Sequence, residues 1–245
     1  MSLTERERIE IDYWRTSPYE APDRFTIENL VNKMSNAAVF LCKMRAYGSY
    51  FQKARTILEI GAGQGWASCL IKKSFPGTAV FASDISPHAV ASAPHWERVF
   101  DIRIDGVFSC QSDHIALPDN SVDMVFGFAS MHHFGARKPA LSEIRRVLTA
   151  NGVVLLLHEP CCRRYIHPWA VKRANRVRST VLEDVIVFPE FLQTAKQAGF
   201  TQAAMHFAPL VQGRGPLETI YYVVLNKIPF LQTLLPCSSD FLFIK

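Results

Sequence analysis

Thr56-Ile57-Leu58-Glu59-Ile60-Gly61-Ala62-Gly63-Gln64-Gly65-Trp66 is the stretch on which the fold turns. A short apolar run stops at a glycine cluster and resumes as a helix-compatible segment, Trp66 to Lys73. The order reads strand, turn, helix. Glycines at such a junction open left-handed conformations to the backbone and let it come close to a ligand. The spacing is Gly-x-Gly-x-Gly, whereas the dinucleotide fingerprint Gly-x-Gly-x-x-Gly needs glycine at 66, where this chain has Trp.

Working outward, Ala79-Val80-Phe81-Ala82 is a second strand ending at Asp84, and Ser86-Pro87 follows in the order that begins a helix. Ser121 to Phe126 and Gly152 to Leu157 are strand-like, with a helical stretch, Lys138 to Leu148, between them. Strands alternating with helices imply an α/β class, doubly wound, with a mainly parallel sheet. Residues 1–54 are expected to form an N-terminal helical cap, because Ile27, Leu30, Val31, Met34, Ala38 and Leu41 recur at steps of three and four. Before them, Tyr13, Trp14, Pro18, Tyr19 and Pro22 suit an irregular segment lying over a groove.

The main domain is then 55–245, with 161–190 a basic, helix-compatible insertion after the fifth strand on the substrate side. Pro189 to Ala198 reads as a helix, and Ala203 to Phe207 and Thr219 to Leu225 as strands able to pair in an antiparallel hairpin. The tail, Ile228 to Ile244, is apolar enough to pack on the body, to make a homodimer or to contact a membrane.

A chain of 245 residues with 49% apolar and 20% charged residues has the composition of one globular domain with additions. No apolar run approaches the ~20 residues a spanning helix needs, and the charge-alternating N-terminus lacks the apolar core of a secretory signal, so the expected address is cytoplasmic. Six scattered cysteines lack Cys-x-x-Cys spacing and read as reduced thiols. Nor do His158, Cys161, Cys162 and His167 match zinc spacing, and no metal is expected. A formal charge of +5 favours anionic small molecules without implying nucleic acid.

Three further motifs follow the glycine loop in order. They are Asp113-His114-Ile115-Ala116-Leu117-Pro118-Asp119-Asn120-Ser121-Val122-Asp123, Phe126-Gly127-Phe128-Ala129-Ser130-Met131-His132-His133, and Arg145-Arg146-Val147-Leu148-Thr149-Ala150-Asn151-Gly152. With them, residues 55 to 160 resemble the class I S-adenosylmethionine (SAM)-dependent methyltransferases, especially the branch containing the ubiquinone and menaquinone enzymes. The resemblance implies SAM as cofactor, leaving as S-adenosylhomocysteine. It puts Glu59 near the methionine amino group, Gly61, Ala62, Gly63 and Gly65 beneath the cofactor, Asp84 on both ribose hydroxyls and Asp113 at the adenine amino group. Ile85 and His114 would accompany those two acids, and Phe128 would shape the methionine end. A carboxylate suits the ribose because it accepts two hydrogen bonds at once.

Methyl transfer removes the charge of a sulfonium, so positioning can supply about 7–11 kcal/mol of the barrier, against about 10²- to 10⁴-fold from a general base. His132 and His133 follow a strand at the edge where such sheets bind ligands, and either is a candidate base. Tyr13, Trp14, Tyr19, His158, Glu159 and Arg163 are expected on the acceptor side. Arg163, Arg164, Lys172, Arg173, Arg176 and Arg178, interleaved with Tyr165, His167 and Trp169, read either as a solvated face or as a lid for an anionic or carrier-bound acceptor. The expected function is methyl transfer to a small organic O, N or activated C nucleophile. A non-catalytic SAM-binding regulator stays open, as does an NAD-dependent oxidoreductase, which Trp66 and the lack of a Tyr-x-x-x-Lys pair disfavour.

Overall fold

The apolar run of the opening motif becomes β1 (Thr56–Ile60), a central strand flanked by β2 (Ala79–Asp84) and β4 (Val122–Phe128). The computed structural model describes residues 3–176, 181–207 and 215–245. Burial of β1 on both faces is what a parallel strand between two helical layers requires. Ile57 packs on one side with Val80, Phe126, Trp66 and Phe40, and Leu58 on the other with Val125, Leu141, Ile144 and Phe241. That alternation is the two-residue period of an extended chain.

The strand order is β3-β2-β1-β4-β5-β8-β7, with β3 (Gly106–Ser109), β5 (Leu148–Cys162), β7 (Gln202–Phe207) and β8 (Cys237–Ile244) completing the path and β6 (Ile186–Val187) pairing with the end of β5. β1 to β5 run parallel, and β8 lies antiparallel between β5 and β7. The covering helices are α4 (Trp66–Ser74), α5 (Pro87–Val90), α6 (Ala93–Phe100), α7 (Arg137–Val147) and α9 (Phe188–Gln197). The chain winds outward in opposite directions from β1 and β4, and their carboxyl ends open the crevice in which such sheets hold ligands.

Residues 1–54, expected as a helical cap, hold α1 (Glu5–Thr16), α2 (Ile27–Ala46) and α3 (Gly48–Lys53). α1 begins with a reciprocal capping box. The Thr4 hydroxyl accepts from Glu7 N at 3.3 Å, and Glu7 Oε2 accepts from Thr4 N at 2.7 Å. Tyr13 and Trp14 are therefore helical, and the irregular stretch expected around them is confined to 17–26. The expected helix forms as α2, but its buried face is Asn29, Ala37, Val39, Phe40, Lys43 and Met44, while Ile27, Val31 and Met34 face outward and Leu30, Ala38 and Leu41 are half-buried. Its rotation is set by polar anchors: Asn29 Nδ2 donates to Gln64 Oε1 at 3.2 Å, and Lys43 Nζ meets Asp240 Oδ2 at 2.8 Å. Buried polar groups demand partners, and this outweighs burial of three more apolar side chains.

The hairpin read into the C-terminal part is not formed. Thr219 to Leu225 lies inside a helix, α10 (Pro216–Lys227), and β7 pairs with β8. Pro216 supplies a helix start, while Tyr222 and Leu225 are buried three residues apart, so packing overrides the strand preference of Ile220, Val223 and Val224. The tail packs on its own body: Phe241 and Phe243 are fully buried, leaving Ile228 and Phe230 outward. Residues 161–190, expected as an insertion, contain the end of β5, α8 (His167–Ala174), β6 and the start of α9, and carry a basic run whose Arg178 lies outside the described residues.

Candidate active site

The glycine loop folds back over the end of β1 in left-handed backbone. Gly61 has φ +61° and Gly63 +52°, and a Cβ on Gly61 would lie 2.6 Å from Ser130 Cβ, so only glycine fits there. Asp84, at the end of β2, fixes the loop's far side: Oδ2 accepts from Gly63 N at 2.8 Å and Oδ1 from Ser86 N at 2.9 Å. Burial raises its pKa, while those bonds pull the other way.

Beside the loop is a cavity of about 550 Å³, within the range for small-molecule and cofactor sites. Gly61, Gly63, Asp84, Ile85 and Asp113 line it from the sheet side, and Arg6, Glu10 and Trp14 of α1 from above. Asp113 Oδ1 is buried with no hydrogen-bond partner among the described residues. A buried acceptor left open in this way awaits a donor. Burial, then repulsion from Asp84, pushes the Glu10 carboxyl up to about 7.

Glu59 does not line this cavity. Its Oε2 accepts from Ser68 N at 3.0 Å and Ser68 Oγ at 2.5 Å, tying β1 to the first turn of α4, and burial pushes its pKa up to about 8. Ala62 packs into the core, and Gly65, at φ +78°, begins α4. Phe128 lies behind the loop, 5.6 Å from the Trp66 ring and stacked on His158 at 5.5 Å. His114 is exposed and faces away from the cavity lining.

At the end of β4 the chain turns sharply through Ala129, whose φ of 49° is left-handed for a residue with a Cβ. The next turn is organised by Glu159, which has no solvent exposure. Its Oε1 accepts from Ser130 N and Met131 N at 2.9 Å each, and its Oε2 from His132 N at 3.1 Å. The same oxygen meets His132 Nδ1 at 2.8 Å, and His132 Nε2 meets Glu183 Oε2 at 3.0 Å. Burial would depress the His132 pKa, yet the two carboxylates raise it to about 9. His133, whose ring centre lies 4.1 Å away, is pushed down to about 4 by burial and by the His132 charge. The two imidazoles are thus pushed in opposite directions, His132 toward its charged form and His133 toward its neutral one, and it is His133 that lines the cavity.

The donor atoms of His132, His133 and Glu183 lie within 4.8 Å of one another, near enough to hold a divalent ion. Both His132 nitrogens are already engaged, Nδ1 by Glu159 and Nε2 by Glu183. His158, Cys161, Cys162 and His167 are dispersed: His158 Nδ1 bonds the Ser238 hydroxyl, Cys161 Sγ the Ser239 hydroxyl, and His167 Nε2 Asp184.

A second cavity, of about 320 Å³, lies on the other side of Ala129 and His132. His158 lines it together with Trp169, Arg173, Tyr221 and Tyr222. Of the other residues expected near an acceptor, Trp14 reaches the first cavity, Tyr13 bonds Glu20, Tyr19 is exposed, and Arg163 Nε donates to Thr233 O at 2.7 Å. Glu159 lines neither cavity and acts through His132.

Several participants escaped the sequence reading. Arg6, Glu10, Gln111 and Glu183 come together only through tertiary packing, and nothing in their spacing marks them. Gln64 was legible as part of the loop but not as its clamp: its amide receives Asn29 Nδ2 and Trp96 Nε1, each at 3.2 Å, and donates to Glu20 O at 3.0 Å.

Residues 58–156 match a family model described as a methyltransferase domain. A demethylmenaquinone methyltransferase of Thermus thermophilus is 31% identical over 139 residues, which are 54% of this chain and 60% of that protein's length. The structure of a SAM-dependent methyltransferase from Archaeoglobus fulgidus superposes with a TM-score of 0.61 at 15% identity, covering 90% of this chain and 100% of that one. Haemonchus contortus phosphoethanolamine N-methyltransferase 2, solved with SAM bound, gives 0.56 at 18% identity, covering 98% of this chain and 57% of that one. Residues 58–156 thus carry the match to a methyltransferase domain and the solved structures share the fold, while the chain spans 60% of the length of the Thermus thermophilus relative.

Proposed function

We propose that the protein transfers a methyl group from SAM to a small organic acceptor, with the cofactor in the first cavity and the acceptor in the second. The observation that carries this reading is a shared lining residue. Ala129 lines both cavities at the end of β4, so an acceptor seated in the second would extend its reacting atom past Ala129 to a sulfonium methyl in the first. Asp84 and Asp113 would hold ribose and adenine, the open acceptor of Asp113 suiting an amino group. Glu59 would act by fixing the loop to α4.

In this reading His133, neutral at physiological pH and lining the first cavity, takes up the proton of an acceptor atom that reaches past Ala129 into that cavity, and His132, held charged between Glu159 and Glu183, positions the turn and favours an acceptor oxygen that develops negative charge. The test is a thermal-unfolding series with SAM, S-adenosylhomocysteine and NAD, followed by mass-spectrometric detection of S-adenosylhomocysteine with a panel of phenols, enols, amines and carboxylic acids. The two sulfur ligands at about 100 times Kd should raise the midpoint by roughly 5–11 °C. No shift with either would overturn the reading.

A further inference from the structure

Among the described residues, the molecule leaves one amphipathic surface unaccounted for on the side of the second cavity. α10 turns Leu217, Ile220, Val223, Val224 and Ile228 outward at steps of three and four, and Phe230 follows at 67% exposure. Across the cavity rim, α8 exposes Trp169, preceded by exposed Tyr165. Arg173 joins the two helices, its guanidinium lying 5.6 Å from the Trp169 ring centre and 5.7 Å from that of Tyr221. Between 163 and 176, and again between 215 and 236, the chain carries six Lys and Arg but only one carboxylate, Glu218.

We infer that this face, α8 with α10 and the turn at 229–233, docks on an anionic lipid surface. A bilayer interface rewards this combination: an apolar helix face entering the acyl boundary, aromatic rings at headgroup level, and cationic side chains meeting lipid phosphates. Arg173 has Glu218 at 3.9 Å, but a purely apolar partner would leave Lys172 and Arg176 without counter-charge, and a basic face of this kind repels a second copy of itself. No helix of the described residues is long and apolar enough to cross a membrane, so the contact is peripheral. Trp169 and Arg173 stand at the rim of the second cavity, so docking turns its mouth toward the lipid. The docking stands on the surface alone. Its corollary, that the acceptor is an amphiphile drawn from the bilayer, rests on that cavity holding the acceptor.

Flotation with phosphatidylcholine vesicles, with and without phosphatidylglycerol, tests the inference on the full chain. The protein should float with the anionic vesicles, less with the neutral ones, and less again as salt rises. Ile220→Asp/Val224→Asp and Lys172→Glu/Arg176→Glu should each weaken vesicle binding at least tenfold while keeping the thermal shift with S-adenosylhomocysteine, which reports the methyltransferase reading separately. Failure of the unmodified protein to bind anionic vesicles would overturn the docking. So would sedimentation as a dimer that both double variants convert to monomer, which would make the face an interface between copies.

Discussion

Glu159 and His132 face each other across 2.8 Å, with no solvent on the carboxylate, and their pair fixes the turn between the two cavities. Glu159→Gln removes the charge and turns an amide donor toward groups that themselves donate. Breaking one partner of a buried pair costs about 3–5 kcal/mol, which for this chain lowers Tm by roughly 6–20 °C. Calorimetry checks the loss, and His132 titration by NMR should move below about 9 in the variant. An unchanged Tm and His132 titration would remove Glu159 from its organising role.

Stability should fall as pH rises from neutrality. The folded pKa of Glu59 is about 8 against its ordinary 4.5, so its contribution is complete below about 4.5 and is lost as pH rises through 8. His132 behaves alike, its contribution complete below 6.5 and lost through about 9. Glu59→Gln keeps a partner for Ser68 and should flatten the Tm profile between about pH 5 and 8, while the fall through 9 persists. A profile parallel to that of the unmodified protein over pH 5–8 would contradict this.

Asp84 and Asp113 should separate on two readouts. Asp84→Asn puts a donor against the N–H of Gly63 or Ser86, lowering both Tm and S-adenosylhomocysteine affinity, the latter by about 10- to 100-fold for bonds to a charged group. Asp113→Ala removes an acceptor whose Oδ1 has no protein partner, so affinity should fall about tenfold with Tm nearly unchanged. Calorimetric titration and thermal unfolding of the two variants decide the matter, and equal Tm losses would mean that Asp113 is structural.

β8 depends on Asp240. It meets Lys43 Nζ at 2.8 Å, Tyr47 Oη at 3.2 Å and His158 N at 2.9 Å, joining the cap to the sheet. Asp240→Asn sets an amide donor against some of these donors and should destabilise by about 3–5 kcal/mol. Faster hydrogen exchange in α2 and β8 than in β1 would show where the loss falls.

Chelation should leave S-adenosylhomocysteine formation unchanged, because both nitrogens of His132 are already taken by Glu159 and Glu183 and neither is free to bind an ion. Stoichiometric metal in the purified protein, with activity lost to EDTA and restored by the ion, would reverse that reading.

What the sequence determined by itself was local. Thr56 to Trp66 dictates strand, glycine turn and helix because each step depends on neighbouring residues: apolar periodicity, left-handed backbone at glycine, a helix start. The alternation from 55 to 160 carried the doubly wound sheet, Asp84 was legible as the acid ending the second strand, and Asp113, in the turn after β3, was legible through the family resemblance as the acid before Leu117-Pro118. Tertiary structure decided what depends on partners far along the chain. Glu59 turned from the cavity to Ser68, Glu159 became the support of His132, and α1 brought Arg6 and Glu10 over the crevice. Thr219 to Leu225 lost its strand preference because Tyr222 and Leu225 could be buried together in a helix, and the tail entered the sheet because Asp240 found Lys43 across 197 residues. Short-range backbone preference is written in a window of a few residues, whereas the satisfaction of buried charge is settled only when distant segments meet.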